Sequence, residues 1–386
     1  EPATDSAAAG TTFAYGIKTI GGRLGWGPSP GSAGRLDPFA DRVRARGLGL
    51  GLVSTVPITH ATPAAFAANN PSRHAYNQIA RQMLTETRPD VLIGGGHPGW
   101  SDTFVPAALL DSLRAEGSWA IAERVNGEDA TASLVAQAER AVAEGRPLLG
   151  LFGSEYGHIV PTYPHADARP SGNNAGADQD QEEDVVFDPS FRFPDQLPIL
   201  GSVADQAQEH PQLVDSTRVT LDVMTERFGN SGFFVMIEGG DIDWANHAND
   251  YRWLLGSTYA FYRAVETAIE HVENPETPLT WDNTLLMVVP DHANGYLRFD
   301  RQRAPRRAEL PEQAPAPGSR RGIPWSYPGG EIRFHTTNHT NELVPIYGWG
   351  AGLENLIERE GRWYEETRVV DLTDIHHVIT SFLDLR

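Results

Sequence analysis

The stretch Phe233-Phe234-Val235-Met236-Ile237-Glu238-Gly239-Gly240-Asp241-Ile242-Asp243-Trp244-Ala245-Asn246-His247 decides the fold. Its apolar opening is too short for a helix and is closed by two glycines, which predicts a buried strand ending in a turn. A helix is expected beyond the turn. Glu238 then stands at the strand's carboxyl end, while Asp243 and His247, four apart, share one helix face and can grip a single ion. The plainer alternative makes Asp243 a helix cap and His247 a surface residue.

Working outward, further bounded apolar runs at 48–56, 91–93, 147–152 and 285–289 also read as buried strands. Amphipathic stretches at 72–87, 130–143 and 244–272 alternate with them. This alternation predicts an α/β fold: a doubly wound, mainly parallel central sheet flanked by helices. Ligands of such sheets gather at the carboxyl ends of the strands, so the chemistry is expected just after the apolar runs. Between 157 and 211 the pattern gives way to Pro, Gly, Asn and acids, including Asp178-Gln179-Asp180-Gln181-Glu182-Glu183-Asp184. That segment reads as a surface insertion whose acid run is a solvated loop, a calcium site being the alternative. A Pro- and Arg-rich stretch at 301–330 reads as a second insertion, within one catalytic domain spanning 1–386.

Composition excludes several classes of function. A net charge of −20 lacks the basic footprint that nucleic acid or an anionic membrane surface needs. No run approaches the roughly 20 apolar residues of a membrane span. Cysteine is absent, so disulfides and thiolate zinc sites are excluded, and a metal must be held by His, Asp, Glu and hydroxyl oxygens. Lys18 is the only lysine among 31 basic residues, a bias that identifies no function.

Four more segments carry candidate chemistry. Leu285-Leu286-Met287-Val288-Val289-Pro290-Asp291-His292 places an Asp-His pair at a strand's carboxyl end, where both can bind zinc; an ordinary turn Asp beside an incidental His is the alternative. His339, in Thr337-Asn338-His339-Thr340, is a third candidate ligand, although a lone His is usually structural, as His335 nearby is read. Thr4-Asp5-Ser6-Ala7-Ala8-Ala9-Gly10 predicts a helix beginning near Ser6. There the positive end of the helix would stabilise an alkoxide or a bound phosphate. Most Asp-Ser pairs in such a place are simple N-caps. The fourth segment is Thr59-His60-Ala61-Thr62-Pro63-Ala64-Ala65-Phe66, followed by Asn69-Asn70-Pro71-Ser72-Arg73.

Taken together and in order, Asp5-Ser6-Ala7, Thr59-His60-Ala61-Thr62-Pro63, Glu238-Gly239-Gly240 with Ile242-Asp243 and His247, Asp291-His292, and His339-Thr340 resemble the motifs of the alkaline phosphatase family across nearly the whole chain. The resemblance implies hydrolysis of phosphate monoesters through a phosphoserine, with two zinc ions and one magnesium. Ser6 looks like the nucleophile. Asp243, His247 and His339 look like ligands of the first zinc, Asp291 and His292 of the second, and Thr62 and Glu238 of the magnesium. Arg73 looks like the guanidinium that clamps two phosphate oxygens, which its planar fork suits. A homodimer, inorganic phosphate as product, and a periplasmic or secreted location are inherited expectations of the same kind.

Three departures qualify the resemblance. His60 stands where enteric members have Asp, a change that can favour zinc over magnesium at the third site. Trp244 stands where they have Lys, which removes a charged phosphate partner and can loosen product binding. The family's upstream strand ending in Asp-Gly, whose Asp bridges the second zinc and the magnesium, has no counterpart within 1–386. Residues 1–386 are therefore expected to be part of the catalytic unit. Two rival readings follow: a phosphodiesterase or related metallo-hydrolase of the wider superfamily, and an inactive metal- and phosphate-binding fragment.

Overall fold

A computed structural model of the chain describes residues 3–29, 34–154, 157–159, 208–300, 302–303, 311–315 and 325–385. Most of 157–211 and of 301–330 lies outside the described residues, and with it the two expected insertions. The first half of the chain runs α1 (Ser6–Tyr15), α2 (Phe39–Ala45), β1 (Gly49–Pro57), α3 (Ala61–Ala67), α4 (Tyr76–Arg81), β2 (Val91–Gly95), α5 (Ala107–Glu116), β3 (Ala120–Glu123), α6 (Ala130–Glu144) and β4 (Leu148–Leu151). Then come α7 (Leu213–Phe228), β5 (Phe233–Glu238), α8 (Asp241–His247), α9 (Tyr251–Glu273), β6 (Leu285–Val288) and β7 (Ala293–Asn294). Short strands β8 (Arg298–Phe299), β9 (Ala314–Pro315), β10 (Trp325–Ser326), β11 (Ile332–Arg333) and β12 (His339–Thr340) precede β13 (Tyr347–Gly350), α10 (Glu354–Ile357) and α11 (Leu372–Phe382).

The central sheet has the order β3-β4-β2-β1-β5 and every neighbouring pair is parallel. The chain winds outward from β1 through β2 and then returns to add β5 on the other flank, so a topological switch falls beside β1, where such folds bind ligands. Strand β1 is buried along its whole length. Leu50 and Leu52 belong to one core with α1, α2, α3 and α11, while Val53 belongs to a second with α6 and α7. On that second face Gly49 and Gly51 let α7 lie close: a β-carbon on Gly49 would meet Phe228 at 2.5 Å, and one on Gly51 would meet Thr220 at 3.1 Å. The expected doubly wound α/β architecture is the one observed, with helices on both faces.

Three local features differ from the sequence expectation. The stretch at 244–272 is not one helix: it breaks after His247, where Asn249 takes a positive φ of 51°, and resumes as α9. Within 72–87, α4 passes into a π-helical turn over Gln82–Thr87. The run at 285–289 forms β6 but pairs antiparallel with β13 rather than joining the parallel sheet. The outer edge of β5 and the second edge of β6 carry no strand among the described residues, and their apolar side chains are only half-buried.

Helix α1 is buried on all sides. It lies against α3, where the β-carbon of an alanine at Gly10 would come within 2.9 Å of Ala65 Cβ. This approach sets the distance between Ser6 on α1 and Thr62 on α3. Gly10→Val is expected to force the two helices apart and cost about 1–3 kcal/mol of stability, read as a lowered denaturation midpoint at unchanged slope.

Candidate metal centre

Helix α8 presents Asp243 and His247 as its third and seventh residues, on one face. The two-residue ladder of β7 and β12 sets His339 opposite Asn294, two residues after His292. The three side chains Asp243, His247 and His339 converge: their ligand atoms lie within 4.8 Å of one another. His247 Nε2 is 3.3 Å from Asp243 Oδ2, His339 Nε2 is 3.4 Å from Asp243 Oδ1, and the two ring nitrogens are 3.1 Å apart.

The other nitrogen of each ring explains the arrangement. His247 Nδ1 donates to the Thr337 carbonyl at 2.5 Å, and His339 Nδ1 donates to the Thr4 carbonyl at 2.9 Å. A carbonyl can only accept, so in the neutral rings both Nε2 atoms carry lone pairs. Two lone pairs and a carboxylate facing one point repel unless a cation lies among them. Backbone carbonyls that fix the tautomer in this way are the usual support of metal-ligating imidazoles. The donor set, two imidazoles and a carboxylate, fits a divalent transition metal such as zinc.

Next to this group, His292 Nε2 lies 3.0 Å from Asp291 Oδ2 and 2.9 Å from Ser6 Oγ. The His292 and His339 rings stack with centroids 3.5 Å apart, which brings the two groups together. His292 Nδ1 is buried with no hydrogen-bond partner among the described residues. Glu238 pairs in register with Ser54 of β1 and accepts a 2.5 Å hydrogen bond from its hydroxyl. Burial pushes the Glu238 carboxyl up to about 7; the Ser54 and Thr62 hydroxyls pull it down, and Asp291 and Asp243 push it further up. Burial also works to raise Asp243 and Asp291. For Asp243 it is outweighed, where the His247 and His339 rings carry a second proton in place of a metal, by those two imidazolium groups, which hold that carboxyl well below its usual range; for Asp291, chiefly by His292. Burial would lower His292, but Asp291 raises it.

Ser6 is the first residue of α1, capped by Asp5, whose Oδ1 accepts from the Ala8 amide at 2.9 Å. The plain capping role weighed for Asp5 is real, but its second oxygen does more. Asp5 Oδ2 accepts from the Gly22 amide at 2.8 Å and pairs with Arg73 Nη1 at 3.1 Å. Arg73 Nη2 lies 3.2 Å from His60 Nε2, and the His60 ring meets Trp244 edge-on at 5.5 Å. The structure thus gathers Ser6, Arg73, His60 and Trp244 beside Asp243, His247, His339, Asp291, His292, Thr62 and Glu238. Sequence reasoning missed Asn294, whose Nδ2 donates to Asp243 Oδ1 at 2.6 Å and holds that carboxylate in place. The signal was available, since Asn294 stands two residues beyond His292 at the end of the same apolar run. Ser54, and the carbonyls of Thr4 and Thr337, were also missed.

Comparison with known proteins agrees with this geometry. The family model described as alkaline phosphatase matches residues 1–299. Streptomycin-6-phosphate phosphatase of Streptomyces griseus is 29% identical, the match covering 99% of this chain and 79% of that protein. Alkaline phosphatase of Escherichia coli K12 is 24% identical over 99% of this chain and 74% of its own. Among solved structures, alkaline phosphatase of the Antarctic bacterium TAB5 superposes with a TM-score of 0.62 at 21% identity, covering 100% of this chain and 86% of that one. The Thermus thermophilus enzyme gives 0.65 at 22%, covering 100% and 80%.

The Glu238 shift has a consequence for the metal-free protein. An unfolded Glu titrates near 4.5 and the folded one near 7, so between these values the folded chain holds a proton that the unfolded chain has lost. Stability therefore falls as pH rises through that window. Thermal melts of chelator-treated protein are expected to show this loss, on the order of 3 kcal/mol, and Glu238→Gln to flatten it. A wild-type profile rising from pH 5 to 7 with the same slope in the variant would contradict the assignment.

Proposed function

The chain belongs to the alkaline phosphatase family and is a phosphatase, and we propose that it hydrolyses phosphate monoesters through a phosphoserine formed on Ser6. The observation that carries this reading is the placement of Ser6 Oγ: first in a buried helix, 2.9 Å from His292 Nε2, on the same Asp5 that holds Arg73. In this reading Asp243, His247 and His339 hold one zinc, Asp291 and His292 a second, and Thr62 and Glu238 a third ion. That third ion is magnesium, or zinc in keeping with His60. Bound there, the cations supply positive charge to the oxygens that enter and leave phosphorus.

The chain's own residues account for the rest. Ser6 Oγ attacks phosphorus as its O–P bond forms and the ester O–P bond breaks, the alcohol leaving with a proton. Water then displaces the serine, and inorganic phosphate departs. The first amides of α1 and the Arg73 fork hold the equatorial oxygens, Arg73 itself being steadied by Asp5 and His60. Asn294 keeps Asp243 turned toward the two imidazoles. One further acidic side chain would complete the ligand sets of Asp291 with His292 and of Thr62 with Glu238. A homodimer and a periplasmic or secreted location belong to the same reading. Among the described residues no helix is long and apolar enough to cross a membrane.

A substrate of the streptomycin 6-phosphate kind is a second reading. It is favoured by the relative that bears that name and aligns with 99% of this chain. Comparing hydrolysis of an aryl phosphate, streptomycin 6-phosphate and an aryl phosphodiester separates these readings. Selective turnover of the diester would transfer the assignment to phosphodiesterases, and full metal loading without any turnover to a binding fragment.

Ser6→Ala is expected to abolish labelling by radioactive phosphate trapped at acid pH while leaving metal content nearly unchanged. A variant that labels like wild type would overturn Ser6 as nucleophile. Arg73→Ala is expected to weaken inhibition by inorganic phosphate about tenfold or more, since a charged hydrogen-bond partner contributes about 1.5–3 kcal/mol. An unchanged inhibition constant would show that Arg73 does not touch phosphate.

A further inference from the structure

The ligand helix α8 is only seven residues long and is followed by a break at Asn249, so it cannot hold its own orientation by length. A small separate core packs beneath it, made of Val56, Trp244, Ala245, Ala248 and Trp253. Into this core projects His158, fully buried, from the chain that follows β4. Its ring lies against Trp244 at 5.4 Å and Trp253 at 5.8 Å between centroids. His158 Nδ1 sits 2.5 Å from Oδ1 of Asp241, the first residue of α8 and itself buried. The Asp241 amide donates to Thr55 Oγ1 at 3.2 Å, and the Ile159 amide donates to the Thr55 carbonyl at 2.7 Å. Thr55 of β1 thus fastens Asp241 directly and His158 through the next residue, Ile159.

We propose that the buried Asp241–His158 pair is the positioning device of the metal-ligand helix. It locks α8 against rotation about its axis, so that Asp243 and His247 face His339, and it couples that orientation to the chain leaving β4. Neither residue touches the centre itself. Asp241 acts through Asp243, two positions further along the helix, and His158 acts through Asp241 and through the Trp244 ring. Trp244 in turn abuts His60 and, beyond it, the Arg73 guanidinium. The bond matters because a rotation of α8 by a fraction of a turn would carry Asp243 away from both imidazoles. The hydrophobic contacts of Trp244 and Trp253 alone are non-directional and do not fix that angle. The inference rests on the reading of Asp243, His247 and His339 as metal ligands.

The test measures zinc(II) affinity of the whole chain by competition with a chromophoric chelator. His158→Phe fills the space between the two tryptophans but deletes the hydrogen bond, and Asp241→Ala deletes it from the other side. Each is expected to weaken zinc binding about tenfold, the lower end of what loss of a supporting partner costs a metal site. The double variant is expected to lose no more than either single change, because both remove one shared interaction. Asp241→Asn keeps an acceptor oxygen for the ring N–H and is expected to bind within about twofold of wild type. Unaltered affinity in His158→Phe, or additive losses in the double variant, would overturn the positioning role. A wild-type chain that binds no zinc would instead overturn the reading of the centre.

Discussion

The structure depends on one electrostatic constraint: two imidazole lone pairs and a carboxylate are aimed at a common point by groups that cannot turn away. The Thr337 and Thr4 carbonyls hold the rings of His247 and His339, and Asn294 holds Asp243. In water such groups would each be solvated. Here His247 is buried and His339 and Asp243 are largely shielded from water, so the arrangement is costly without a cation. Metal binding and folding of this corner are therefore linked processes. The carbonyl that fixes His339 belongs to Thr4, two residues before Ser6, which ties the centre to the start of α1.

The sheet makes this convergence possible. Strands β1 and β5 end side by side, and their register sets Ser54 against Glu238. Beyond those ends, α3 carries Thr62 and α8 carries Asp243 and His247, while β7 and β12 bring His292 and His339 from far along the chain. Residues separated by more than 300 positions meet at hydrogen-bond distance, as Thr4 and His339 do. Small residues permit the close approaches, Gly10 between α1 and α3 being one and Gly240 against Val56 another.

Much of the fold was legible in the sequence because sheet strands appear as short bounded apolar runs: the fully buried β1, β2 and β4 did, and so did the half-buried β5 and β6. Strand β3 did not, since Ala120-Ile121-Ala122-Glu123 is a short edge strand with alternating burial, and its two alanines carry little strand signal. The break at Asn249 escaped notice because a non-glycine residue in the left-handed region leaves little trace in an apolar pattern. The antiparallel pairing of β6 depends on β13, a partner some 60 residues away whose glycine-interrupted Tyr347-Gly348-Trp349-Gly350 carries a weak strand signal. Glu238 and the Asp291-His292 pair stood out because they close apolar runs, whereas Ser6, Thr62, Arg73 and His339 were given their roles only through the family resemblance. Their supports were not legible: carbonyl oxygens, Asn294 and the Asp241–His158 pair act through tertiary geometry that no spacing rule records.

The measurement that bears most directly on this centre is diffraction at the zinc absorption edge from crystals of the chain grown with zinc. If Asp243, His247 and His339 share a metal, an anomalous peak will lie about 2.0–2.2 Å from an Asp243 carboxylate oxygen and from Nε2 of both histidines. Metal-saturated crystals with no peak among these three atoms, or with His247 and His339 turned so that Nδ1 faces the metal, would contradict it.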